Sequence, residues 1–498
     1  MYRKTSPGQL SFENFYLPFG GKLSGENRWV KLSELIPWTT FESVYAEQFS
    51  EETGAPAKPF RMALGALIIK ERLGTSDRET IEQIRENPYL QYFLGLYEYR
   101  DEAPFDDSML VHFRKRIGLE LVLQVNESVV ESAQADASSV SESSSQSDDS
   151  DPPDGPSGGN QGKLIADATC APADIRYPTD LDLLNAAREH SERLIDELYQ
   201  QVADCLSKKP RTYRQRARKA YLVIAKRRKR PKKLIRKGIR QQLNYLRRNL
   251  GHIDTLIAAG AALAALNRRE YRTRLVIHEV FRQQQHMYQQ RSRRIDDRIV
   301  SISQPHVRPI VRGKARTPVE FGAKLSISCV DGYAFLERVS WDNYNESEDL
   351  IDHIERFRDR NGHYPASVHA DQIYRNRANL SFCKQYGIRL SGPPLGRPST
   401  DERLQAQLKQ QAREDERIRV EVEGKFGQGK RRFGLGRVMG KLAQTSETMI
   451  AITFLVMNLE RRLRRLLFSL LFNLFGAPKK CFRLPWDRHI RDLSLLSI

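Results

Sequence analysis

Ala323-Lys324-Leu325-Ser326-Ile327-Ser328-Cys329-Val330-Asp331-Gly332-Tyr333-Ala334-Phe335 alternates apolar and polar side chains up to an Asp-Gly pair and then becomes apolar again. A period of two marks a strand, and Asp-Gly suits a tight two-residue turn, so the stretch predicts a β-hairpin whose return strand runs on to Val339. Downstream, Ser347 to Arg360 reads as a helix, and Pro365 to Ala370 (PASVHA) as a buried strand ending in a carboxylate, Asp371. Upstream, Leu164-Ile165-Ala166 leads directly into Asp167, a second short apolar strand with an acid at its end. Hairpin, helix, strand and helix together predict an α/β fold, a mixed sheet covered by helices.

Helical patterns flank this core. Before it, Met62, Leu64, Leu67 and Ile68 recur at helical spacing, Ser76-x-x-Glu79 opens a further helix as a capping box, and Asp107 to Ile117 ends in Phe113-Arg114-Lys115-Arg116. Short helices closed by a basic one resemble a helix-turn-helix module, so residues 1–132 are expected to form an all-α domain for DNA binding or dimerisation. Residues 133–161 are rich in Ser, Asp, Pro and Gly and predict a disordered acidic linker. Between Asp167 and the hairpin, Leu184, Ala187, Leu194, Leu198 and Val202 trace one helix face. Ile239, Leu243, Leu246, Leu250, Ile253 and Ile257 trace another at steps of four and three, which predicts a long helical hairpin inserted at about 180–300. Residues 162–460 would then be the core domain with this insertion, and 461–498 an amphipathic C-terminal helix and tail.

Charge is concentrated in the insertion. The 498 residues hold 81 Lys and Arg against 62 Asp and Glu, a net charge of +19, and Lys208 to Arg248 alone carries 19 cations and no acid. One stretch therefore accounts for the whole surplus, the electrostatic footprint of a polyanion-binding surface. Its densest part, Lys226, Arg227, Arg228, Lys229, Arg230, Lys232 and Lys233, is expected at the tip of the helical hairpin, in contact with DNA. Five cysteines without a Cys-x-x-Cys pair argue against a disulfide framework and a zinc ribbon. No apolar run approaches a membrane span, the polar start Met1-Tyr2-Arg3-Lys4 lacks a secretory core, and no phosphate-binding Gly-x-x-x-x-Gly-Lys stretch occurs. The expectation is a cytoplasmic, nucleoid-associated protein with neither membrane partner nor nucleotide cofactor.

Two strands ending in acids, in a basic chain, suit phosphodiester chemistry, because carboxylate oxygens hold Mg²⁺ or Mn²⁺ and leave sites open for phosphate. A third acid is expected in Glu416 to Lys430 (ERIRVEVEGKFGQGK). On a helix, Arg419, Glu423, Phe426 and Lys430 share one face, a carboxylate between two cations. On a strand, which the alternation of Ile418 to Val422 and three glycines would favour, Glu421 and Glu423 share a side.

Leu164-Ile165-Ala166-Asp167-Ala168-Thr169, Ala370-Asp371-Gln372-Ile373-Tyr374-Arg375-Asn376-Arg377, Gly392-Pro393-Pro394-Leu395-Gly396-Arg397-Pro398 and Ile418 to Leu435 together resemble a DDE transposase of a bacterial insertion sequence, of the insertion-sequence-five group. The resemblance implies an RNase H-like catalytic domain in which Asp167, Asp371 and Glu423 bind two metal ions, Mg²⁺ or Mn²⁺. It also implies DNA contacts by Arg419, Lys430 and Arg375. Arg419, Glu423 and Lys430 fit the Tyr-x-x-Arg-x-x-x-Glu-x-x-x-x-x-x-Lys signature of related transposases, with Glu416 at the tyrosine position. The function implied is binding of the element's terminal inverted repeats, cleavage and strand transfer into target DNA by a homodimer or larger assembly. A non-catalytic nucleic-acid binder and an RNase H-like nuclease without strand transfer are the rival readings.

Overall fold

The structure, a computed structural model, describes residues 11–50, 56–142, 159–206, 208–311, 319–393 and 401–475. Six helices come first: α1 (Arg28–Glu34), α2 (Trp38–Ala46), α3 (Phe60–Leu73), α4 (Asp77–Glu86), α5 (Pro88–Phe93) and α6 (Met109–Glu142). The capping box forms at the start of α4, where the Ser76 side chain accepts the Glu79 N–H. α6 kinks at Gly118, whose φ of 69° interrupts the helix one residue after the expected stop.

The core follows as β1 (Lys163–Pro172), four inserted helices α7 (Asp180–Gln201), α8 (Arg214–Ala225), α9 (Lys232–Ala258) and α10 (Arg268–Gln289), then β2 (Arg308–Val311), β3 (Val319–Val330) and β4 (Tyr333–Ser340). α11 (Leu350–Asn361), β5 (Ser367–His369), α12 (Arg377–Gln385), β6 (Arg389–Leu390), α13 (Glu402–Arg431) and α14 (Ala443–Phe475) complete the chain. The hairpin is β3 and β4, joined at Asp331 and Gly332 with φ of 50° and 76°, positive at both positions as a type I′ turn requires. The sheet order is β2-β3-β1-β5-β6, with β4 also paired to β3; β1 runs antiparallel to β3 and parallel to β5.

Alternation along β1 divides its side chains between two cores. Leu164 and Ala166 pack with Leu350, Ile354 and Phe357 of α11, while Ile165 and Ala171 join a larger core with Val422 of α13, Leu455 of α14 and the N-terminal helices. That shared core corrects three expected boundaries. Residues of α1 to α6 are buried in one cluster with the sheet, so the N-terminal helices are not a separately packed domain. α6 continues to Glu142 with Ala133 buried in the core, ten residues into the expected linker, because its Ala and Val positions still meet the sheet; 143–158 lie outside the described residues. α14 passes unbroken through the expected boundary at 460, since Leu459 and Leu463 are both core residues.

The insertion is four helices rather than a hairpin. α7 and α9 run parallel, with Arg188 beside Gln242 and Ser191 beside Asn249. At one end Gln284 of α10 donates to Asp180 (2.8 Å) and Tyr221 of α8 to Asp182 (2.6 Å), both at the start of α7. At the other end the Ala262 N–H reaches Gln201 (2.9 Å). The α8–α9 connection that carries Lys226 to Arg230 therefore lies at the base, where the insertion leaves and rejoins the sheet, and not at the tip. One additional helix, α8, reverses the chain once more and moves the basic loop from far end to near end.

Candidate active site

The register of two parallel strands builds the floor of a cleft. Lys163, Leu164 and Ile165 of β1 lie beside Ser367, Val368 and His369 of β5. Two residues further along each chain come Asp167 and Asp371, so both acids leave neighbouring strands at one level, where the backbones are spaced by about 4.8 Å. Asp167 is still within β1; Asp371 lies just past β5, where its Oδ1 accepts the Gln372 N–H at 3.1 Å and caps a single helical turn.

α13 supplies another wall. It is one helix of 30 residues, which settles the choice between helix and strand: Val422, Lys425 and Gly429 bury at steps of three and four. Arg419, Glu423, Phe426, Gly427 and Lys430 line a cleft of about 760 Å³ together with Asp167, Asp371, Lys324, Tyr344 and Glu346. Glu421 is absent from that lining; its charge acts on Cys329 and Lys425, beneath the helix.

The Asp167 carboxyl is pushed up to about 6, chiefly by burial, with the Ala168 N–H and Arg419 opposing the rise and the charges of Asp371 and Glu346 adding to it. Two cations already stand among these acids. Arg419 Nη2 is 3.1 Å from Asp371 Oδ1, and Lys324 Nζ is 2.8 Å from Glu346 Oε2. An all-oxygen donor set, one member of which has its pKa raised by burial and by its acidic neighbours, fits a hard divalent cation. Among the described residues, no three acids, histidines or cysteines converge closely enough to grip an ion with Arg419 and Lys324 in these positions.

The other expected site residues are placed elsewhere. Lys226, Arg227, Arg228, Lys229, Arg230, Lys232 and Lys233 are all exposed at the base of the insertion. Within Lys208 to Arg248 the ion pairs among described residues are those of Lys209 and Arg214 with Asp196. Arg375 lies outside the cleft lining: its Nη1 donates to the carbonyls of Leu390 and Ser391 (3.0 and 2.7 Å), so its guanidinium ties down β6. At the basic end of the first half of α6, Arg114 is buried against Asp77 and Arg116 lies over the Phe49 ring at 4.9 Å, so two of its three cations serve internal packing. Lys324, Tyr344 and Glu346 were not anticipated. A lysine alternating with Ser326 and Ser328 on the β3 face opposite Leu325 was the available signal.

A Transposase DDE domain model matches residues 368–460, a span holding Asp371, Arg419, Glu423 and Lys430 but not Asp167. A Transposase domain (DUF772) model matches residues 18–116. An uncharacterized protein, ORF8 in the nfe locus of Rhizobium meliloti, is 30% identical over 151 residues, which cover 30% of this chain and 64% of that relative. The chain thus spans less than two-thirds of the relative's length, and no solved structure matches. No described helix is long and apolar enough to cross a membrane. Residues 18–116 and 368–460 are thus each similar to a transposase domain, the second match holding Asp371 and Glu423 of the cleft and Asp167 lying between the two matches.

Proposed function

We propose that the chain is a metal-dependent insertion-sequence transposase, of the insertion-sequence-five group and with an RNase H-like core, that cleaves a phosphodiester at its element's ends and joins the freed 3′-hydroxyl to target DNA. The observation that carries this reading is the level pairing of Asp167 and Asp371 on adjacent parallel strands beneath Glu423. In this reading the three carboxylates are ligands rather than proton carriers. Two divalent ions held by these carboxylates would supply Lewis acidity at the scissile phosphate and a nucleophilic oxygen at neutral pH.

The chain's own residues do the rest. Arg419 and Lys430 flank Glu423 on one helix face and hold the phosphates on either side of the scissile one. The exposed cations from Lys226 to Lys233, on the α8–α9 connection and the first turn of α9 at the base of the insertion, take the flanking duplex by its backbone, in any sequence. Both element ends are processed together, so the active form is a homodimer or larger.

The test is a cleavage assay in Mg²⁺ beside a gel shift in EDTA, on an oligonucleotide carrying the element's end. Asp167→Asn and Asp371→Asn should each abolish nicking while leaving the EDTA affinity equal or slightly raised. Nicking by wild type without metal, or near wild-type nicking by either variant, would leave the non-catalytic binder as the better account.

A further inference from the structure

The cleft holds more acid than a three-carboxylate site needs, and its two resident cations are arranged as stand-ins. Glu346 begins a one-turn helix, Glu346–Asp349, that follows β4, and it lines the same cleft as Asp167. Lys324, almost buried on β3, reaches it at 2.8 Å and also donates to the Tyr344 carbonyl at 2.8 Å. Arg419 takes Asp371 in the same manner.

A second observation points to a missing ligand. Tyr374 is fully buried, yet its hydroxyl has no hydrogen-bond partner. Burial raises its pKa far above the usual range, and the charges of Glu346 and Asp167 raise it further. A buried hydroxyl left unmatched among carboxylates is costly unless a further polar group enters.

We propose that Glu346 is a fourth cation-holding carboxylate of the cleft, neutralised by Lys324 in the metal-free chain, and that a divalent cation displaces Lys324, which then faces the DNA phosphates. The Tyr374 hydroxyl, with Glu346 and Asp167 among its charged neighbours, is then available to a carboxylate of the rearranged cleft. Metal and DNA binding are then positively coupled, because each ion that enters releases a phosphate-binding cation. The proposal rests on the metal-dependent reading above and deepens it.

The experiment measures Mn²⁺ binding to the full chain without DNA, by electron paramagnetic resonance, for wild type and for Glu346→Gln, Glu346→Asp, Lys324→Gln, Glu348→Gln and Asp371→Asn. Glu346→Gln should weaken binding by about tenfold, as loss of a ligand or its immediate support does. Glu346→Asp should recover part of it, and Glu348→Gln, exposed on the same turn, none of the loss. Lys324→Gln should bind Mn²⁺ more tightly than wild type, since a competitor is gone, while losing DNA affinity in Ca²⁺ but not in EDTA. A merely structural pair would make Lys324→Gln and Glu346→Gln weaken Mn²⁺ equally, and that result overturns the proposal, as does Glu346→Gln matching Glu348→Gln. If Asp371→Asn weakens Mn²⁺ and Glu346→Gln does not, the fourth ligand fails alone. If neither does, the metal-dependent reading fails with it.

Discussion

Asp167→Asn should stabilise the metal-free protein. In the folded chain, burial and the neighbouring acids raise this carboxyl from 3.8 to about 6, so an ionised Asp167 carries a penalty of about 3 kcal/mol. Part of the cleft is open to water, which screens the charges, so the recoverable gain is about 1–3 kcal/mol. The folded state binds this proton more tightly than the unfolded state does. Asp167 therefore costs nothing below pH 3.8, and its penalty grows as pH rises through 3.8 to about 6. Urea denaturation in EDTA, followed by circular dichroism, should show the Asn variant ahead by that amount at pH 7.5 and level with wild type near pH 4. Added Mg²⁺ should then stabilise wild type more than the variant, because ligand that binds only the native state contributes in proportion to its affinity. A variant no more stable than wild type at pH 7.5, or one equally favoured at both pH values, would show that Asp167 is not held in a cleft of like charges.

Other substitutions divide site from scaffold. Glu423→Gln should abolish cleavage in Mg²⁺ while Glu421→Gln keeps most of it, since only Glu423 lines the cleft; equal loss in both, with folding intact, would undo the assignment of the third acid. Replacing five of the basic residues from Lys226 to Lys233 by Gln should flatten the slope of log K against log salt by up to about 4.5 on any duplex, and an unchanged slope would mean the loop contacts something else. Arg375→Ala should lower the melting temperature without changing that slope, because its guanidinium is engaged by the carbonyls of Leu390 and Ser391. Burial pushes Glu337 up, but Arg360 and Ser328 hold it down at about 2. Its contribution is thus present above its ordinary value of 4.5 and lost as pH falls toward 2. Glu337→Gln should cost about 3–5 kcal/mol in urea melts at pH 7 by leaving Arg360 buried without its main partner.

What the sequence made legible follows the range of the forces involved. The β3–β4 hairpin and the strands leading to Asp167 and Asp371 rest on local alternation and turn chemistry, and all are present, although β1 runs on past Asp167 to Pro172 instead of ending there. α13 was ambiguous because its local signals conflict: three glycines and an alternating Ile418 to Val422 oppose a helix. Tertiary packing decides it. A Cβ on Gly429 would stand 2.6 Å from Leu435, so that glycine serves close approach of a packed helix rather than breaking one. The misread segments all depended on partners distant in sequence. Ala133 looks like linker until α6 meets the sheet, and Arg114 looks like a DNA contact until Asp77 is folded against it. Lys324 and Glu346, 22 positions apart by number, become one ion pair only because β4 returns alongside β3 and the chain turns back at Tyr344. Cations in this chain therefore fall into two populations that composition cannot separate. Some, like Arg114, Arg360 and Arg375, are consumed by the fold. Others, the Lys226 to Lys233 loop above all, are left without acids, and Arg419 and Lys324 stand between the two groups, paired to acids whose pairing a divalent ion would replace.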